Sequence, residues 1–124
     1  MKGFTHNIQM DTLENTYFRK VLYTGKHLQL VVMNIKVGED SGEEIFQGSD
    51  HFVCIECGVG KCIIEGHEYV VGEGDVVLIP AGSKHIIVNT HPTWELQFYT
   101  IYGPPTHKDG IVRKTKADAL RSEE

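Results

Sequence analysis

The stretch that decides the fold is Gly74-Asp75-Val76-Val77-Leu78-Ile79-Pro80-Ala81-Gly82-Ser83-Lys84-His85-Ile86-Ile87-Val88-Asn89. Val76 to Ile79 is an apolar, mostly branched run that favours extended backbone. Pro80 has no backbone N–H to give to a ladder, so the strand stops there. Gly74-Asp75 turns the chain into the strand, and Gly82 permits a sharp reversal after it. His85 to Asn89 then reads as a second strand that opens on an inward-facing histidine. An imidazole fixed on a rigid strand is a good platform for a ligand. The ordinary structural alternative is a turn between two strands with a surface histidine.

The pattern outward from this stretch is overwhelmingly β. Phe18 to Tyr23 reads as a strand that ends at Thr24-Gly25, and Leu28 to Val37 as a long one. Phe52 to Cys57 and Lys61 to Glu65 flank a tight turn at Gly58-Val59-Gly60. Gly66-His67 turns again into Glu68 to Val71, and Trp94 to Tyr102 is the last long strand. Nine or ten short strands bounded by Gly, Pro, Asn or Asp are the mark of an all-β sandwich or barrel. The tail is the exception. Thr115 to Arg121 holds good helix formers, with Thr115 placed to cap them. Residues 1–15 read as a polar arm, or as a first strand with a short helical turn.

Composition narrows the function. The chain of 124 residues has twelve Lys and Arg against seventeen Asp and Glu, a net charge of −5. That balance argues against a general nucleic-acid binder, which needs a basic face. No apolar run approaches the roughly 20 residues of a membrane span. The first residues contain no apolar secretory core. Three cysteines, Cys54, Cys57 and Cys62, lie within nine residues. An odd number so close together is no disulfide framework, and a reduced cytoplasmic setting fits better. Cys54-Ile55-Glu56-Cys57 has a zinc or redox spacing but lacks a second such pair, so it reads as strand.

The opening stretch resembles the second signature of the cupin superfamily: Gly, five residues, Pro-x-Gly, two residues, His, three residues, Asn. Every fixed position is present, at Gly74, Pro80, Gly82, His85 and Asn89. The resemblance implies a double-stranded β-helix, or jelly-roll, barrel. It divides the chain into an N-terminal arm over 1–17, a barrel over 18–103 and a loop with a short helix over 104–124. The first cupin signature reads Gly, five residues, His-x-His, three or four residues, Glu, six residues, Gly. Its frame is intact from Gly38 to Gly58, but the ligand positions hold Glu44, Phe46 and His51.

A narrower resemblance, to small single-domain bacterial cupins, covers nearly the whole chain after residue 17. It rests on Arg19 to His27, Gly42-Glu43-Glu44, Tyr99 to Pro105, His107, Asp109-Gly110 and Lys114 to Ala117. In that group the first signature tends to read Glu-x-His, four residues, Gln. Glu44 matches its Glu, whereas Phe46 and His51 are departures.

The resemblance implies a metal set of Glu44, His51 and His85. Two histidines and a carboxylate suit Zn, Fe, Mn or Ni without distinguishing them. Alternation puts His51, Val53 and Ile55 on one face of their strand, and Glu44 with Phe46 on one face of the strand before. The alternative is a metal-free polar pocket, its trio satisfied by one another or by water. Phe46, Val53, Tyr99, Tyr102 and His107 are the candidate pocket residues, Phe46 as cavity wall and His107 as a cap on the mouth or merely solvated. Two functions follow. One is a metal-dependent barrel of the dioxygenase, isomerase or epimerase class acting on a small molecule. The other is a metal-free or degenerate barrel that binds or senses a small ligand. Exposed strand edges need cover, so a homodimer is expected.

Overall fold

The structure is a computed structural model and describes residues 2–122. In chain order the elements are α1 (Ile8–Glu14), β1 (Arg19–Thr24), β2 (Gln29–Ile35), β3 (Asp50–Cys57), β4 (Val59–Ile64), β5 (His67–Gly72), β6 (Val76–Ile79), β7 (His85–Asn89), β8 (Leu96–Gly103), β9 (Val112–Arg113) and α2 (Lys116–Arg121). Two antiparallel sheets enclose the core. A six-stranded sheet runs β6-β3-β8-β2-β1-β9, and a three-stranded sheet runs β5-β4-β7. This is the expected all-β jelly-roll barrel with a short C-terminal helix.

Register across the large sheet sorts the interior into layers, because directly paired residues share a face. Arg19, Met33, Phe98 and Ile55 form one row, and Val21, Val31, Thr100 and Val53 the next. Gln29, Tyr102, His51 and Ile79 form the third. All twelve are buried. The small sheet faces them with Cys62 opposite Ile87 and Ile64 opposite His85. The middle of the barrel is therefore apolar, and polar groups gather in the row that carries His51.

Gly58 shows why the frame glycines sit where they do. Its φ is +99°, and a Cβ there would lie 2.6 Å from the Glu95 carbonyl oxygen. Only glycine fits both demands.

Three local readings change. The N-terminal segment contains no strand among the described residues. It forms α1, whose Asn7 cap accepts the Met10 N–H at 3.0 Å. The Gln97 side-chain amide donates to the Leu13 carbonyl at 2.9 Å, which seats α1 on the outer face of the large sheet. The segment carrying Glu44 and Phe46 is not a strand. It is extended chain with isolated bridges at Asp40 and Glu44, broken by Gly42 at φ +79°. Val112–Arg113, read as loop, adds β9 beside β1. The C-terminal helix matches its expectation, with Thr115 Oγ1 accepting the Asp118 N–H at 3.1 Å.

Outside the barrel, Phe52 stands between Leu78 and Ile101. With Leu28 and Pro80 they line an apolar groove of about 440 Å³. No helix among the described residues is long and apolar enough to cross a membrane.

Candidate functional site

His85 is placed by the reversal that precedes it. Gly82, at φ +82°, lets the chain double back, and its N–H donates to the Phe46 carbonyl at 2.9 Å. His85 then enters β7 with its ring inside the barrel. Its Nδ1 lies 3.0 Å from the Ser83 carbonyl oxygen. A carbonyl only accepts, so Nδ1 carries the proton and Nε2 keeps its lone pair. Burial holds the His85 pKa below its ordinary value.

His51 enters from β3, with 3 % of its surface exposed. Its Nε2 is buried and has no hydrogen-bond partner among the described residues. Burial first, then the neighbouring His85 and His107, push its pKa down to about 3. Both imidazoles are therefore neutral near pH 7.

Phe46 is the hub of the cluster. Its ring centroid lies 4.8 Å from that of His51, 5.9 Å from His85, 5.9 Å from Tyr102 and 5.7 Å from His107. His51 and Tyr102 meet edge to face at 4.2 Å. Such tilted and edge-to-face contacts suit the aromatic quadrupole.

His107 is buried, so its solvated alternative falls. Gln29 holds it there. The Gln29 side-chain amide donates to the His107 carbonyl at 2.7 Å. Its Oε1 accepts the N–H groups of His107 at 2.9 Å and Thr106 at 3.0 Å. Gln29 went unnoticed in the sequence. Its signal was parity: it shares the inward face of β2 with Val31, Met33 and Ile35.

Glu44 goes elsewhere. Its Oε2 accepts from Arg19 Nη2 at 3.1 Å, and the Arg19 side chain is 6 % exposed. Among the described residues no three His, Cys, Asp or Glu side chains come together to hold a metal ion. The structure thus brings His51, His85, Phe46, Tyr102 and His107 together, and turns the Glu44 carboxylate toward Arg19. Val53 lies in the buried middle row. Tyr99 points the other way, to the outer face, where it hydrogen-bonds Cys54 and burial pushes its pKa up to about 12.

The donor set does not fit a three-ligand metal centre as the side chains stand. Two imidazoles offer nitrogen, the carboxylate is engaged, and a phenyl ring fills the remaining ligand position.

Residues 31–102 match the family model described as the cupin domain, more than half of the chain. The chain belongs to the cupin family. This cupin is 39% identical over 129 residues to the protein YrkC of Bacillus subtilis (strain 168), whose name marks it as uncharacterized. That match covers 99% of this chain and 69% of the relative. It is 38% identical to L612 of Acanthamoeba polyphaga mimivirus, also named as uncharacterized, over 86% of this cupin and 68% of that protein. Among solved structures, the cupin is similar to BH2720 from Bacillus halodurans, with a TM-score of 0.94 at 38% identity, covering 98% of this chain and 96% of that one.

Proposed function

We propose that this cupin is a small-ligand binding module. Its ligand is an uncharged molecule with an apolar or aromatic body and one polar group. The body packs against Phe46 and Tyr102, and the polar group pairs with His51. The observation that carries this reading is the buried, unpaired Nε2 of His51. A buried polar atom left unpaired costs on the order of 1–3 kcal/mol, and a ligand that pairs with it recovers that cost. Neutral imidazoles supply no charge, so neither a carboxylate nor an ammonium ligand gains an ion pair from them. A pKa near 3 also makes His51 a weak general base at pH 7, because efficient proton transfer needs a pKa near the working pH. These features favour binding over acid–base turnover. Three free thiols, Cys54, Cys57 and Cys62, suit a reducing, cytoplasmic setting.

One observation favours a second reading, a metal-dependent barrel of the dioxygenase, isomerase or epimerase class. The His51 and His85 rings meet edge to face, 5.2 Å apart by centroid. In that reading they are the protein's two nitrogen donors, with Glu44 the third ligand once it leaves Arg19.

Thermal melts with phenol, benzoate and benzylamine, joined to elemental analysis of the purified protein, test the proposal. Phenol is expected to raise the melting temperature in a dose-dependent way that His51→Phe abolishes, while the two charged analogues do not. A response to benzoate alone overturns the binding reading. So does one equivalent of transition metal that Glu44→Gln removes, which establishes the metal-dependent reading instead.

A further inference from the structure

Glu44 and His85 form an isolated antiparallel bridge. Each N–H donates to the other's carbonyl at 2.9 Å. Residues paired this way lie about 5.5 Å apart at Cα and present their side chains to the same face. His85 faces the barrel interior, so Glu44 leaves its backbone on the interior side too. Phe46, two residues on in extended chain, shares that face. The backbone therefore delivers Glu44 beside a neutral imidazole. What diverts the carboxylate is Arg19, fixed on β1 between Met33 of β2 and Arg113 of β9. A guanidinium stays charged at every working pH, so Arg19 does not release Glu44 by losing its own charge.

We propose that Arg19 is a positioning residue that withholds Glu44 from His51 and His85. The barrel thereby carries a divalent-cation site kept incomplete by two of its own side chains, Arg19 and Phe46. This inference rests on the reading of the pocket as one that holds no metal with Glu44 in place.

The test is titration with Co²⁺, read by its visible d–d absorption and by calorimetry, on folded protein verified by circular dichroism. Phe46→His restores a third nitrogen and is expected to bind Co²⁺ measurably. Adding Glu44→Gln to it changes the affinity by less than about twofold, because Arg19 still holds that carboxylate. Adding Arg19→Met instead tightens binding by about tenfold or more, in the range that ligand-orienting contacts command. Glu44→Gln in that double variant removes the gain. The inference is overturned if Glu44→Gln weakens Phe46→His tenfold with Arg19 intact, or if Arg19→Met brings no tightening. Wild-type protein that binds Co²⁺ through Glu44 overturns the reading beneath it instead, so the two failures are distinguishable.

Discussion

The Phe46 ring lies 4.8 Å from the His51 ring, tilted by 47°. Phe46 thus packs beside the buried Nε2 of His51, which has no hydrogen-bond partner among the described residues. Phe46→Ala removes a half-buried ring, and full burial of a phenylalanine is worth about 3–5 kcal/mol in such a truncation. The expected loss is about 1–3 kcal/mol, read from the urea midpoint. Phenol is expected to restore stability to the variant more than to the wild type. Equal effects in both would mean that no ring-sized space opens at Phe46.

Acid provides a separate check. The folded pKa of His51 is about 3 against an ordinary 6.5, and that of His85 is also lowered. The unfolded chain then binds more protons between those values, so stability is complete above about pH 6.5 and falls as the pH drops toward 3. The slope is about 1.4 kcal/mol per pH unit for His51 alone. His51→Phe is expected to flatten this part of the urea-midpoint profile. An unchanged slope in the variant would show that other groups drive it.

Gln29 pins the 103–110 segment to β2 through three hydrogen bonds. Gln29→Leu leaves two backbone N–H groups and one carbonyl without their partner. A loss of about 3 kcal/mol or more is expected, at about 1–3 kcal/mol for each of the three unsatisfied groups. Hydrogen exchange at Thr106 and His107 should quicken well ahead of exchange in β8. Uniform quickening across the chain would place the effect on the whole barrel.

The outer groove predicts association with a second copy. Leu78, on the edge strand β6, is 66 % exposed, and Leu28 is 59 % exposed. An apolar edge of this kind invites pairing unless it is covered. The protein is expected to elute at twice its monomer mass, and Leu78→Lys to halve that mass without changing the circular dichroism spectrum. A wild-type monomer at micromolar concentration removes the prediction.

Backbone punctuation was the legible part of this fold. Gly74, Gly82 and Pro80 occupy corners whose requirements are local, and Gly58 adds a positive φ to its close approach to Glu95, so the signature spacing located them and the strands between. His85 and His51 followed from the same frame. The fate of Glu44 did not, because it depends on Arg19, a residue 25 positions away in sequence. Arg19 shares the inward face of β1 with Val21, and a charge at such a position was the available hint. Tyr99 was misplaced relative to Tyr102 because the parity of β8 is set by Phe98 and Thr100, both buried. The α1 helix carried its own signal in the Asn7 cap, outweighed by a polar composition.

The hydrogen bonds from Gln29 to Thr106 and His107 join residues 77 and 78 positions apart. During synthesis the ribosome releases β2 long before residue 107 leaves the exit tunnel. The segment that carries Thr106 and His107 therefore docks on β2 only after both residues have been made. If the barrel binds a ligand as proposed, a chain that stops before Thr106 lacks these bonds and is expected not to capture it.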